Sequence, residues 1–312
     1  MSHPPRPTLP MRDGVSASCV AVPSGNWPTV LDFLSDRLPA LGRTDWQARL
    51  DRGEVLNAHG EPMAAHAPCP TGQRLFYYRS WPDEPAAPEE ATVLFQDDWL
   101  VVADKPHFMP VTPSGRFVQR SLLVQLKRRL GLPHLSPLHR IDRETAGLVV
   151  LAVQPHTRAA YQALFRDRQV HKLYEAVAPY DPALALPCTH RSRLEADPER
   201  FFLSREVAGV PNSESHMELA RVLAGGAQAL YHLRPVTGQR HQLRLHMAAL
   251  GLPILGDSFY PQVLRPAEAP DDAARPLQLL ARGLRFADPV TGHARQFESQ
   301  RTLAATSSVW PP

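Results

Sequence analysis

Apolar residues recur along this chain at two spacings. A helical period of three to four puts Val30, Leu31, Phe33, Leu34 and Leu38 on one stripe, and Trp46 and Leu50 continue it after a break. Residues 53–57, His59-Gly60 and Leu75 to Arg79 then predict short strands joined by glycine turns. Further on, Thr92 to Phe95 and Leu100 to Ala103 read as two strands, with Lys105-Pro106 closing the second. Ser121 to Leu130 predicts an amphipathic helix, capped by Ser121 and ending in Lys127, Arg128 and Arg129, where cations suit the helix dipole. The continuous apolar run Gly147 to Val153 has strand length, Pro155 to Arg168 is helical with proline at its start, and Lys172 to Ala178 is a further strand. His216 to Leu223 and Ala229 to Arg234 add β pattern ahead of a helix from about Gln239 to Leu250, stopped by Gly251 and Pro253. No repeat of 20 to 50 residues is visible, so the expectation is an α+β protein.

Composition divides this pattern into parts. The 33 prolines among 312 residues are about twice the usual share and cluster at three places. Residues 1–20, Pro-rich at their start, predict a disordered tail; Trp81 to Pro88 predicts a linker over 81–90; Arg265 to Pro276 predicts an acidic surface loop. A small front module over 21–80 and a large rear module over 91–303 follow. With 43% hydrophobic residues the chain has material for a sizeable core. It contains no apolar run near the ~20 residues that span a bilayer, and Met1 to Pro10 has no apolar stretch of the signal-peptide kind, which predicts a cytosolic protein. Cys19, Cys69 and Cys188 are too far apart for a zinc knuckle or redox pair and are expected to be ordinary thiols. The net charge of +3 permits a polyanionic partner without demanding one.

Two polar clusters hold the candidate chemistry. The first, Leu138-His139-Arg140-Ile141-Asp142-Arg143-Glu144-Thr145, crowds two arginines, a histidine and two acids just before an apolar strand. Either the acids pair with their own arginines in a structural loop, or one carboxylate is a nucleophile or base held ionised by a guanidinium. The second runs from Thr237 to His246, followed by Gly251 to Tyr260. On a helix here, Leu243, Met247 and Leu250 form a buried stripe, while Arg240 and Arg244 lie one turn apart and both reach a polar cleft. His241 and His246 are five apart, with no acid or cysteine close in sequence, so no metal site is expected.

The first cluster resembles the RluA-type pseudouridine synthase signature His-Arg-Leu-Asp-x-x-Thr-Ser-Gly-Leu. The second resembles that family's Thr-Gly-Arg-x-His-Gln-Ile-Arg-x-His box, Gly251 to Tyr260 is similar to its Gly-x-Pro-Ile-x-Gly-Asp-x-x-Tyr tail, and Lys172-Leu173-Tyr174 fits its Lys-x-Tyr element. Four matches in order over residues 92–300 are far more specific than any one of them. The resemblance implies a catalytic domain built on a central mixed, largely antiparallel sheet, preceded by a small S4-like RNA-binding module. It implies that Asp142 is the essential carboxylate, that Arg244 pairs with it and that Tyr174 lies against the target base. His139, Arg140, Lys172, Arg240, His241 and Gln242 are then candidates for holding RNA, with Arg140 filling the space a flipped uridine leaves. Large-subunit rRNA, tRNA or both are the implied substrates, with no metal, no cofactor and a monomer. A non-catalytic RNA-binding or ribosome-assembly protein is the competing reading. Two departures from the pattern, Gln239 and Leu280, bear on the pocket rim.

Overall fold

The computed structural model describes residues 9–79, 84–85, 89–266 and 269–306. Its front module contains β1 (Ser18–Ala21), α1 (Val30–Arg37), α2 (Arg43–Asp51), β2 (Val55–Leu56) and β3 (Arg74–Tyr77). The three strands form an antiparallel sheet in the order β1-β3-β2. The expected stripe is buried: Val30, Phe33, Leu34, Trp46 and Leu50 pack with Val55 and Leu75 into one core. The Thr29 hydroxyl accepts the Asp32 N–H and sets the start of α1. The tail is shorter than expected, since β1 begins at Ser18 and pairs with β3. Residues 1–8 and most of the expected linker lie outside the described residues. Glu84 of that linker is described, and its carboxylate accepts the backbone N–H groups of Val118, Gln119 and Arg120.

The rear module continues with β4 (Thr92–Gln96), β5 (Leu100–Lys105), α3 (Leu122–Leu130), β6 (Ser136–Pro137), β7 (Ala146–Ala152), α4 (Arg158–Arg166), β8 (His171–Pro179), β9 (Cys188–Ala196), β10 (Ser204–Val207), β11 (Ser213–Val222), β12 (Gln228–Pro235), α5 (Gln242–Ala249), β13 (Leu279–Ala287) and β14 (Ala294–Glu298). Its strands form one sheet in the order β10-β9-β11-β12-β8-β13-β7-β5-β4, with β14 on β13 and β6 on β7. Every pairing is antiparallel except β13 with β7, which makes the sheet mixed and largely antiparallel, as expected.

The strand β7 explains its own unbroken apolar run, because it is buried on both faces. Val149 and Leu151 pack with Leu122 and Leu126 of α3 on one side, while Leu148 and Val150 meet Tyr161 and Leu164 of α4 on the other. The predicted Ser121 cap is not made by its side chain, whose hydroxyl donates to Val118 O instead. Gly131, at φ +66°, closes the other end of α3 in the left-handed conformation that favours glycine. The helix α5 starts three residues later than predicted, because His241 takes φ +58° and breaks helical geometry just before it. The strands β9, β10, β13 and β14 had no clear sequence signal. Half-exposed strands such as β9, with alternation broken by charged pairs, are hard to read from apolar spacing alone.

The parallel contact between β7 and β13 places the site. Leu280 pairs with Ala146 and Ala281 with Gly147, directly after the 138–145 loop. Gly147 sits at φ +110°, and a Cβ built there would lie 2.3 Å from Ala281 O. Only glycine allows that approach. Gly147→Ala is therefore expected to force the strands apart, destabilising the protein by about 3 kcal/mol or more and lowering Tm by about 10 °C. Thermal unfolding followed by circular dichroism checks this, and an unchanged Tm would contradict the tight contact.

Candidate active site

The loop between β6 and β7 is pinned from below. Lys105, fully buried at the end of β5, donates to the carbonyls of Pro106 (2.9 Å) and Arg143 (3.1 Å). Burial lowers its pKa to about 7, against the opposing pull of Glu144 and Asp142. Arg143 binds Glu144 at 2.8 Å and Asp271 of the expected acidic loop at 2.7 Å. The loop acids and arginines thus pair in part as the structural reading supposed. Asp142 is left out of that pairing, and its partly exposed carboxylate lines an open cleft of about 1560 Å³. That volume exceeds the ~300–1,000 Å³ of a small-molecule pocket and suits a macromolecular substrate.

Arg244 reaches the same place from α5. Its side chain is 1% exposed and is gripped by Asp257, which accepts from Nε at 2.8 Å and from Nη2 at 2.6 Å. The rings of Phe259 and Tyr260 lie 5.1 and 5.4 Å from the guanidinium carbon. The remaining nitrogen, Nη1, has no hydrogen-bond partner among the described residues and lies 3.7 Å from Asp142 Oδ2 and 3.6 Å from Glu144 Oε2. Burial works against the charge on Arg244, but Asp257, Asp142 and Glu144 outweigh it and raise its pKa, so it is a permanent cation. Burial raises Glu144 while Arg143 and Arg244 lower it, with a net downward shift. The expected Asp142–Arg244 pairing is present as a close approach, and the guanidinium's main partner is Asp257.

Tyr174 on β8 lines the cleft, its phenol pushed above the ordinary range by burial and by the charge of Asp142. His241 Nε2 is 4.0 Å from Asp142 Oδ1, and its Nδ1 lies 2.7 Å from the Tyr260 hydroxyl. Burial lowers the His241 pKa against the opposing effect of Asp142, so the cation that faces Asp142 at neutral pH is Arg244. Arg140 is exposed on the cleft, and its side chain makes no ion pair or hydrogen bond among the described residues, including with Asp142 and Glu144.

The other candidates from the sequence, His139, Lys172, Arg240 and Gln242, also line the cleft and are each bonded to the protein around it. His139 Nε2 accepts the Val150 N–H at 3.1 Å, and its ring stacks on Phe165 at 4.6 Å. Burial lowers its pKa to about 3, so it is neutral. Lys172 donates to Thr237 O at 2.9 Å. Gln242 Oε1 accepts from the Thr237 hydroxyl and the Gln239 N–H, while its amide donates to Glu214 O and Ser215 Oγ. Arg240 precedes α5 rather than lying one turn below Arg244, and its Nη2 donates to Phe201 O and Leu203 O at 2.8 and 2.6 Å. Of the two departures, Gln239 does line the cleft, whereas Leu280 is 1% exposed in the core and Leu279 beside it faces the cleft. His246 meets His190 and Glu206, which sequence spacing did not bring to it, and its two ring nitrogens lie 3.0 Å from the hydroxyls of Ser213 and Ser215. Asp257, Glu144 and Lys105 were not singled out by the sequence reading. Asp257 stands inside the Gly-Asp element of the tail motif, whereas nothing local distinguishes Lys105, whose role depends on strands folding around it.

A family model described as RNA pseudouridylate synthase matches residues 99–249. The chain is 32% identical over 233 residues to an uncharacterised RNA pseudouridine synthase of Synechocystis, covering 74% of this chain and 79% of that protein. It is 30% identical over 214 residues to the dual-specificity RNA pseudouridine synthase RluA of Escherichia coli, covering 66% of this chain and 91% of RluA. Two human structures share the fold. RNA pseudouridylate synthase domain containing 1 aligns at TM-score 0.57 and 22% identity over 74% of this chain and 91% of that one. Domain containing 4 aligns at 0.53 and 26% over 69% and 89%. The family match and relatives place the chain among RNA pseudouridine synthases, a class of isomerases, and it belongs to the RluA-type family.

Two measurements probe this geometry. Asp257→Asn leaves Arg244 as a buried, under-compensated cation, a change that costs about 3–5 kcal/mol; Tm is expected to fall by about 10 °C, and a change under about 2 °C would show that Arg244 does not depend on this partner. Burial also lowers His107 and His246 to about 4, alongside His139 at about 3. The unfolded chain protonates these rings below about pH 6.5 while the folded chain resists, so their stabilisation is complete above that pH and is lost as pH falls toward the folded values. The unfolding free energy from urea titrations is expected to drop from pH 7 to pH 5, by up to about 1.4 kcal/mol per pH unit for each ring below pH 6.5, and equal values would contradict three neutral imidazoles.

Proposed function

We propose that the chain isomerises an unpaired uridine of large-subunit rRNA, tRNA or both, with Asp142 as the reacting carboxylate. One observation carries this reading: Asp142 is open to the cleft while a buried guanidinium, locked by Asp257, holds an uncommitted nitrogen 3.7 Å away. A loop acid that served only structure would be satisfied by its own loop, as Arg143 and Glu144 are.

The reaction breaks the N1–C1′ bond, turns the uracil and joins C5 to C1′. The C5 proton leaves and N1 gains one, so the change is an isomerisation with no electron balance to supply. Asp142 either bonds to the sugar or base or removes the 2′ proton, and each role needs a free carboxylate oxygen. Arg244, itself buried, orients that carboxylate from the cleft wall, and its charge acts from a low-dielectric position. Tyr174 enters the reaction protonated, given the upward shift of its phenol, and is placed to stack on the base. If Asp142 becomes covalently bonded its charge disappears, which eases loss of the phenol proton; Tyr174 can then pass that proton to N1 of the released uracil and take the C5 proton on the phenolate oxygen so formed, which closes the proton balance. Arg140, exposed and unpaired on the cleft, is free to fill the gap that the extruded uridine leaves. The front module is an accessory RNA contact, since Ala40 and Arg79 line the same cleft as Asp142.

The test is Asp142→Asn, which keeps shape and removes the charge. Single-turnover pseudouridine formation, on RNA from a strain lacking the gene, is expected to fall by on the order of 10⁴, about 5 kcal/mol of barrier. RNA affinity should change little, because it rests on phosphate and stacking contacts. A well-folded Asp142→Asn protein with more than about a tenth of the normal rate would overturn the assignment.

A further inference from the structure

The turn between β9 and β10 holds a large apolar side chain out in water. Phe201 is 77% exposed, yet it borders the same cleft as Asp142. The turn is tightly built rather than loose. Asp197 accepts the N–H groups of Glu199 and Arg200, and Leu203 N–H donates to Arg200 O. Two active-site residues then bolt it down. Arg240 donates to the carbonyls on either side of Phe202, and the Tyr260 hydroxyl both accepts from and donates to the Ser204 backbone while lying 2.7 Å from His241. Aromatic rings follow one another inward from this rim. Phe201 meets Phe202 edge-on at 5.7 Å, Phe202 meets Phe259 at 5.4 Å, and Phe259 lies near-parallel to His241 at 6.2 Å and over Arg244.

We infer that Phe201 is a stacking platform for an unpaired base of the RNA next to the target uridine, so that the β9–β10 turn selects single-stranded loops. The inference rests on the reading of the cleft as an RNA site and names the residue that reads the flanking nucleotide. Three features favour a base as the occupant. The backbone that carries the exposed ring is held by Arg240, so the turn itself does not have to order on stacking. It continues a row of rings that ends beside the reacting carboxylate. The cleft also presents Arg140 and Arg168, whose side chains have no ion pair or hydrogen bond among the described residues and suit a phosphate backbone. Stacking on an aromatic ring tolerates any base, and it is open to unpaired nucleotides and closed to those within a duplex.

The probe is a hairpin RNA whose loop carries a uridine flanked by 2-aminopurine, a base whose fluorescence is quenched when it stacks. Wild-type protein is expected to quench it. Phe201→Ala should abolish most of the quenching and raise the half-saturating RNA concentration about tenfold, with Tm unchanged, and Phe201→Tyr should restore both. A binding curve and quench for Phe201→Ala equal to wild type would overturn the platform. Pseudouridine formation is scored separately: if wild type converts no uridine in any RNA, the enzymatic reading falls, while the quenching result still decides for or against the platform.

Discussion

The site depends on a buried ion pair that uses only two edges of a guanidinium. Asp257 takes Nε and Nη2 of Arg244 in the bidentate geometry that a carboxylate and a planar fork favour, which leaves Nη1 with a fixed direction and no hydrogen bond. Burying such a charge is expensive; Asp257 makes both hydrogen bonds to it, while Asp142 and Glu144 contribute attraction at 3.7 and 3.6 Å without a hydrogen bond. The carboxylate at the cleft floor is therefore attracted by Arg244 but not consumed by it. Lysine in that position would be a rotating point charge and would not divide its donors in this way.

Two distant segments must be held in register for that geometry to exist. Asp142 comes from the loop before β7, and Arg244 and Asp257 from residues a hundred positions later. The parallel contact of β7 with β13, possible because Gly147 has no Cβ, fixes the loop from one side, and Lys105 under the Arg143 carbonyl fixes it from another. Packing on both faces of β7 makes this floor rigid and fixes the position of the Asp142 carboxylate above it.

Several of the polar candidates line the cleft and are at the same time bonded to the scaffold around it. Gln242 closes the 237–242 turn on itself, Lys172 ties β8 to that turn, and Arg240 with Tyr260 fastens the β9–β10 turn to the rim. The same residues that look like RNA ligands in sequence thus shape the wall against which RNA is placed. Arg140 differs from them in having no side-chain ion pair or hydrogen bond among the described residues.

Much of this was legible in the chain itself. The burial of β7 followed from an apolar run with no alternation and the amphipathic α1 and α3 from their spacing; crowding marked the 138–145 loop without choosing between its acids, and only the family resemblance pointed to Asp142. Local pattern carries such information because side-chain period reflects which face meets the core. Other features had no local signal. That His139 accepts the Val150 N–H, that Arg240 lies before rather than on the helix with Arg244, and that Asp257 makes the hydrogen bonds to Arg244 were decided by contacts between segments far apart in sequence. Polar side chains of one type look alike along a chain; only burial and the donors brought within about 3 Å by folding determine which are satisfied by protein and which are left for a substrate.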